Sequence, residues 1–166
     1  MLFRSDFLDL SGNNPGKACA AQIVALLDST EQAATIWAYN AAFERQVLFA
    51  LAAAYPQYEV ALKEIAERLR DLLPIVQATY YHPAMQGSYS IKAVLPAIAP
   101  ELSYAQLQGV QDGNAAQMAY FEAIAPATTV SEKAEIDRSL RAYCKLDTWA
   151  MVVLAKRLGQ TKEHAA

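Results

Sequence analysis

The chain has 166 residues, of which 54% are hydrophobic and 19% charged, with a formal net charge of −3 and a pI near 5.4. This composition is typical of a folded protein and excludes a disordered chain. The acidic balance argues against a protein that simply coats nucleic acid, because it offers no overall basic surface. It remains compatible with a nuclease, whose metal site is itself built from carboxylates.

The two cysteines and the apolar runs limit the remaining classes. Cys19 and Cys144 lie far apart and have no CxxC or CxxH neighbours, so they predict neither a disulfide framework nor a zinc site. We expect two reduced, buried thiols in a cytoplasmic protein. No apolar run reaches the roughly 18 residues of a membrane helix, and we expect no membrane segment. The length fits a single domain over residues 1–166.

Strand patterns and helix patterns both occur along the chain. Their sum is an α/β fold that is rich in helix and has a small, incomplete sheet of two or three strands. In chain order we predict a strand at 2–8, a helix at 17–27, a strand at 34–39, a helix after Asn40 to about 55, a helix at 58–68, an edge strand at 71–76, a loop at 80–89, a short helix at 91–97, and helices at 114–123 and 129–157.

Four local signals predict further details of these elements. The strand at 34–39 is β-branched and aromatic without a polar face, which predicts burial on both sides of a sheet. Asn40 is expected to cap the following helix through its side-chain oxygen. Pro74 restricts the strand at 71–76 to an edge, and the residues Thr129 to Glu132 fit a capping box.

Asp147 interrupts the apolar stripe of the last helix. A buried carboxylate without a partner costs several kcal/mol, so it needs a cation, a metal or a proton. A structural ion pair with Lys92, Arg70 or another base is one interpretation, and a metal site is the other. At 100° per residue the stripe contains Ile136, Leu140, Tyr143, Met151, Leu154 and Leu158.

Glu44 shows a similar anomaly on the helix after Asn40. It projects from a stripe that we predict to be buried, whereas Arg45 points away. The helix macrodipole offers a simpler explanation, because it favours an anion in the first turn. Two inward carboxylates from two helices are also what a hard divalent cation needs, so we expect Glu44 and Asp147 to share one pocket. The predicted stripe contains Val47, Leu48, Leu51 and Tyr55.

Two strings in the chain resemble motifs of the DnaQ-like (DEDD-type) 3′–5′ exonucleases. The string from Tyr39 to Glu44 resembles the second motif, in which a buried strand ends in Asn and an acid follows four residues later. The string from Tyr143 to Asp147 resembles the third motif of the subgroup with a Tyr-x-x-x-Asp signature. Its spacing places the phenol and the carboxylate on one helix face.

The resemblance implies a partial RNase H-like fold and two-metal hydrolysis with Mg²⁺ or Mn²⁺. Glu44 and Asp147 correspond to metal-site acids, and Tyr143 corresponds to the residue that orients the attacking water. Asp71 is a weaker metal candidate. The residues around it resemble an Asp-Thr-Leu string that is often found on the last strand of the family's fold. The implied substrate is single-stranded DNA or RNA, cleaved from its 3′ end.

The stretch from Tyr81 to Pro96 also resembles a bacterial family known only as a domain of unknown function and grouped with these nucleases by fold. The Asp-x-Glu pair of the first motif is missing, because Ser11 stands two residues after Asp9, at the position where the motif has Glu. We interpret residues 2–8 as the family's third strand, so the chain is either a fragment or a non-catalytic relative. By itself it is expected to be inactive, with a strand edge open to a partner protein or a second copy.

Substrate-binding candidates come from the same resemblance and from the aromatic loop. They are Asn40, Phe43, His82, Tyr89 and Lys92. Tyr89 suits stacking on a base and Lys92 suits a phosphate, while packing and a solvated surface are their structural alternatives. His82 has a structural alternative as a hydrogen-bonded loop residue. The rival function is a non-catalytic helical module that binds a protein or nucleic acid.

Overall fold

A computed structural model describes residues 5–28 and 35–160 of the chain. These residues form two compact units, which are described separately. The first contains residues 5–9, 13–28 and 35–72, and the second contains residues 10–12 and 73–160. The single domain predicted over residues 1–166 stays a prediction. None of the described helices is long and apolar enough to cross a membrane.

The first unit contains three helices and a small sheet. The two strands pair in parallel, with Ile36 opposite Leu69 and Ala38 opposite Asp71. The predicted fold class, a helix-rich α/β fold with a small sheet, is confirmed. The elements are α1 (Gly16–Asp28), β1 (Ile36–Ala38), α2 (Ala42–Ala54), α3 (Glu59–Arg68) and β2 (Leu69–Asp71).

Two predicted strands differ from the structure. The edge strand predicted at 71–76 is wrong, because β2 ends at Asp71 and the helix α4 (Leu72–Thr79) begins directly after it. Pro74 lies in the first turn of α4, where its missing N–H has no helical acceptor to lose. Of the strand predicted at 2–8, residues 5–8 have no regular structure and the others lie outside the described residues.

β1 is buried on one side rather than on both. Ala38 is 3% exposed, whereas Trp37 is 42% exposed. Successive side chains of a strand point to opposite faces, so Trp37 marks the open face of this sheet. The described residues contain two strands in this sheet, and β1 pairs with β2 alone.

The buried face of α2 agrees with the predicted stripe only in part, because Leu48 is buried and Leu51 and Tyr55 pack against the core, whereas Val47 is exposed. Leu48 and Ala52 are buried, and Glu44 is exposed. Arg45 lies on the buried side, where its Nε donates to the Ala66 carbonyl at 3.3 Å and its Nη2 to the Leu69 carbonyl at 3.2 Å. These bonds satisfy carbonyls at the end of α3. The prediction that Glu44 points inward and Arg45 away is therefore wrong.

The second unit consists of helices and short 3₁₀ turns. The long helix α7 packs on α5 and on α6. Ser90 precedes α5 in extended conformation, as expected for a cap, although its side chain makes no capping bond. The elements after α4 are α5 (Ile91–Ile98), α6 (Gly113–Ile124) and α7 (Val130–Gln160), with 3₁₀ turns at Pro83–Met85 and Tyr104–Gln106.

The predicted capping box at the start of α7 is confirmed. The Glu132 carboxylate accepts the Thr129 backbone N–H at 2.8 Å and its hydroxyl at 2.7 Å, and the Glu132 N–H donates to Thr129 Oγ1 at 3.3 Å. We expect Thr129→Ala to lower the free energy of unfolding by about 1 kcal/mol, because the first turn loses its side-chain acceptor. Urea denaturation followed by circular dichroism measures this change.

The neighbouring Ser131→Ala variant is the control, since it changes an exposed side chain in the same turn. Equal effects of the two variants would contradict the capping role. The hydrogen bond from the Thr129 side chain, followed by its backbone N–H, lowers the pKa of Glu132. The stabilisation is therefore present above the unfolded pKa of Glu132 and is lost as pH falls through the lower folded pKa.

Candidate functional site

Asp147 lies on the inward stripe of α7. Leu140 and Leu154 on this stripe are buried, and Tyr143, Asp147 and Met151 between them are partly buried. The predicted stripe is thus confirmed within the second unit. The chain holds a carboxylate among hydrocarbon side chains, and this carboxylate needs polar partners.

Asp147 has one tyrosine hydroxyl as its hydrogen-bond partner and a second tyrosine one turn away. The Tyr104 hydroxyl donates a hydrogen bond to Asp147 Oδ1. Tyr143 lies one turn earlier on the same face of α7, and the charge of Asp147 helps to raise the pKa of its phenol. No described Lys or Arg of this unit forms an ion pair with it. The structural ion pair with Lys92 that we considered from sequence is therefore absent from this unit as described.

Burial raises the pKa of both phenols. Desolvation, followed by the charge of Asp147, raises the pKa of Tyr143 to about 12. Desolvation, followed by the hydrogen bond to Asp147, raises the pKa of Tyr104. Both hydroxyls are therefore protonated and able to donate at neutral pH.

Lys92 and Asp112 complete the group around Asp147. Lys92 Nζ lies 5.8 Å from the centroid of the Tyr104 ring, at cation–π distance. Asp112 caps α6 by accepting the Ala115 N–H at 2.8 Å. That bond is the main cause of its lowered pKa, and the charge of Lys92 adds to it. We call Lys92, Tyr104, Asp112, Tyr143 and Asp147 the Asp147 cluster.

Sequence reasoning missed two members of this cluster. Tyr104 is separated from Asp147 by 43 residues, and no periodicity connects positions in different elements. Asp112 carried a usable signal, because an Asp before a helical pattern predicts an N-cap. That signal gives its capping bond but not its position near Tyr143, whose pKa its charge also raises.

The aromatic loop before α5 contributes less to this cluster than its composition indicates. His82 is exposed, and its Nδ1 accepts the Ala84 N–H at 3.2 Å at the start of a 3₁₀ turn. This bond agrees with the structural interpretation of His82. Tyr89 is partly buried in the same loop. Cys144, on α7 beside Tyr143, is exposed, and Cys19 is only partly buried, so the prediction of two buried thiols is wrong for Cys144 and holds only in part for Cys19.

The candidates in the first unit surround the end of β1. Asn40 has a φ of 64°, and its backbone N–H donates to Asp71 Oδ1 at 2.8 Å. The Ala41 N–H donates to Asp71 Oδ2 at 3.0 Å. Ala41 is the N-cap of α2 and no side chain caps it, so the predicted cap by the Asn40 side chain is wrong. Phe43 is 68% exposed on the first turn.

The carboxylates, histidines and cysteines of the described residues do not converge on one point. Among residues 5–28 and 35–160, no three or more His, Cys, Asp and Glu side chains lie together as potential metal ligands. Asp147 fits a hard divalent cation as a single charged oxygen ligand. A two-metal centre needs more carboxylates than the Asp147 cluster offers, so the residues present do not hold one by themselves.

A family model matches residues 4–90 of the chain, which is just over half of its length, and is described as a domain of unknown function (DUF2779). The chain belongs to the DUF2779 family. The match contains Asn40, Glu44, Asp71 and Tyr89 and ends before α5 and α7. Searches of curated proteins and of solved structures returned no significant match. The predicted membership of a family of unknown function is confirmed, and that membership itself names no activity.

Proposed function

We propose that this DUF2779 chain is part of a metal-dependent 3′–5′ exonuclease-like domain with an RNase H-like fold, which hydrolyses single-stranded DNA or RNA. The observation that carries the proposal is the position of Tyr143 and Asp147, four residues apart, on one partly buried face of α7. A phenol beside a partly buried carboxylate is the pair that the Tyr-x-x-x-Asp resemblance requires. The domain becomes active when an Asp-x-Glu motif completes its metal ligands.

The chemistry of the Asp147 partners supports a cation site. A carboxylate in an ion pair has its charge neutralised, whereas hydrogen bonds from neutral phenols satisfy its oxygens without cancelling the charge. Asp147 is held in the second way, by the hydroxyl of Tyr104. A partly buried, uncompensated negative charge attracts a divalent cation.

Each remaining residue has a proposed role. Asp147 and Glu44 are metal-site acids for Mg²⁺ or Mn²⁺, which when bound activates water and stabilises the leaving oxygen. Tyr143 orients the attacking water. Asp71 is a weaker ligand candidate, because its two oxygens already accept backbone N–H groups. The convergence of Glu44 and Asp147 stays a prediction.

Substrate contacts are proposed for the exposed aromatic and cationic side chains. The Phe43 ring is 68% exposed and therefore has a face on which a base can stack, and Asn40 precedes it at the end of β1. Tyr89 and His82 belong to the aromatic loop of the second unit. Lys92 provides a cation for a phosphate at the second residue of α5.

The test is hydrolysis by the natural protein that contains this chain. A 5′-labelled single-stranded oligonucleotide incubated with Mg²⁺ is expected to shorten from its 3′ end. Tyr143→Phe keeps the ring but removes the hydroxyl that orients water, and we expect the rate to fall by about 100-fold. Gel electrophoresis of the labelled products measures both results.

Tyr80→Phe is the matched control in the same unit. It removes a partly buried phenol hydrogen bond, from Tyr80 to the Ala97 carbonyl at 3.0 Å, that lies outside the Asp147 cluster. It is expected to keep the wild-type rate. No Mg²⁺-dependent shortening in the natural protein, or equal rates for the two variants, would contradict the proposal.

A second candidate function is a non-catalytic interaction module. The observation that favours it is the apolar character of α2 on two opposite sides. Leu48 and Ala52 form the buried side, and the opposite side presents exposed apolar residues at helical spacing. A protein with no Mg²⁺-dependent cleavage would support this candidate. The exposed positions are Phe43, Val47, Ala50 and Ala54.

A further inference from the structure

The charges of the chain are distributed unevenly, although its formal net charge is −3. Residues 138–160 contain five of its 14 Lys and Arg residues and only one of its 17 Asp and Glu residues, Asp147. All of these positions belong to α7. The later part of this helix is therefore strongly basic within an acidic protein.

Three of these cations lie on one side of the helix. At 100° per residue, Lys145 and Lys156 point within about 20° of the direction of Arg138, whereas Asp147 points about 180° away. All three cations are exposed, and Arg138 and Lys145 form no ion pair with any other described residue. Because Asp147 lies on the inward stripe, no acid of residues 138–160 neutralises the outer side.

A tryptophan lies on the same side, between Lys145 and Lys156. Trp149 is partly exposed, and the Lys156 Nζ is 6.0 Å from the centroid of its ring system. We call Arg138, Lys145, Trp149 and Lys156 the α7 basic stripe. At about 1.5 Å per residue the stripe extends over about 27 Å, which is long enough to follow several nucleotides.

We propose that the α7 basic stripe binds the phosphate backbone of a single-stranded nucleic acid. A row of exposed cations complements a row of phosphates in charge, and an aromatic side chain among the cations offers a surface on which a base can stack. The stripe lies on the side of α7 opposite Asp147, so it is separate from the Asp147 cluster. Binding at the stripe needs neither a metal ion nor cleavage, and it does not rest on the proposed exonuclease activity.

A membrane surface is the other partner that a basic helix can meet. A helix that lies on a membrane buries its apolar side in the lipid. The apolar side of α7 is already buried within the protein, since Leu140, Ala150 and Leu154 are at most 5% exposed. Only the charged side of α7 is available to a partner, which favours the nucleic acid.

Titration of a fluorescently labelled single-stranded oligonucleotide with the full chain, in EDTA, tests the binding by fluorescence anisotropy. Arg138→Gln together with Lys145→Gln removes two exposed cations of the stripe. We expect about tenfold weaker binding, and a slope of log K against log salt concentration that is smaller by about 1.4, because each lost phosphate contact on a single strand contributes about 0.7. The loss should be the same for oligonucleotides of different sequence, because phosphates carry no sequence information.

Lys17→Gln together with Lys63→Gln is the matched control. It removes the same charge from two exposed residues of the first unit, and we expect an affinity within about twofold of the wild type, because salt screens distant charges. Both double variants change exposed side chains and should show the circular dichroism of the wild type. Equal losses in the two double variants, or a wild type that does not bind the oligonucleotide, would overturn the inference.

Two further results separate the stripe from a membrane site and from the proposed function. A wild type that binds phosphatidylserine vesicles but not the oligonucleotide would overturn the inference in favour of a membrane. A chain that binds the oligonucleotide through the stripe, in a natural protein that cleaves nothing with Mg²⁺, supports the stripe and contradicts the proposed function. A natural protein that cleaves while the Arg138 and Lys145 double variant binds like the wild type contradicts the stripe alone.

Discussion

Asp71→Ala is expected to lower the free energy of unfolding by about 3 kcal/mol, because the variant removes two hydrogen bonds to a charged acceptor. The Asp71 carboxylate accepts the N–H groups of Asn40 and Ala41, at 2.8 and 3.0 Å. It thereby fixes the turn between β1 and α2. Without it, a partly buried N–H in this turn has no acceptor. Urea denaturation monitored by circular dichroism measures the loss.

Glu59→Ala is the control for this prediction within the same unit. Glu59 forms an exposed ion pair with Lys63, four residues later, at 2.6 Å. Exposed pairs of this kind contribute little to stability, so the variant should unfold close to the wild type. An Asp71→Ala chain as stable as Glu59→Ala would show that the turn does not depend on the carboxylate.

Asp147→Asn is expected to reduce Mg²⁺-dependent hydrolysis by the natural protein by about 1,000-fold. Asn has the shape of Asp and keeps an oxygen for the Tyr104 hydroxyl, but it lacks the negative charge with which Asp147 binds the cation in the proposed function. A metal ion supplies several kcal/mol of transition-state stabilisation, and about 4 kcal/mol corresponds to three powers of ten in rate. The labelled oligonucleotide assay measures the rate.

Asp137→Asn provides a matched control on the same helix. Its carboxylate pairs with Arg141 at 3.0 Å and lies outside the Asp147 cluster. The rate of this variant is expected to remain at the wild-type value, and circular dichroism should show intact helix in both variants. A folded Asp147→Asn protein with wild-type activity would remove Asp147 from the metal site.

Local signals predicted the parts of the fold that depend on neighbours in sequence. The spacing of Thr129 and Glu132 predicted the capping box that starts α7. The spacing of Tyr143 and Asp147 predicted that they share one partly buried face of α7, because residues four apart lie on one helix face. Both features depend on the geometry of a single helix, which the sequence specifies directly.

The sequence of α2 explains why the prediction that Glu44 points inward is wrong. The helix has apolar residues on opposite sides, so its periodicity allows two orientations. The structure buries Leu48 and leaves Val47 40% exposed. Arg45 decides the orientation, since its guanidinium reaches the carbonyls of Ala66 and Leu69. The hydrophobic periodicity of a helix does not reveal a charged side chain that lies on the buried side and hydrogen-bonds carbonyls there.

Local sequence patterns could not predict the contacts between elements that are distant in the chain. β2 consists of Leu69, Arg70 and Asp71, a sequence with weak strand propensity, and it becomes a strand by pairing with β1. The hydrogen bond from Tyr104 to Asp147 likewise joins a 3₁₀ turn to α7 across 43 residues. Only the folded chain brings such positions together.

Calorimetric titration of the full chain with Mn²⁺, in wild type and in Asp147→Asn, tests most directly whether Asp147 is a cation ligand. We predict that the wild type binds Mn²⁺ and that Asp147→Asn loses this binding, while Asp137→Asn retains it. Binding of Mn²⁺ with equal affinity to wild type and Asp147→Asn would contradict the account.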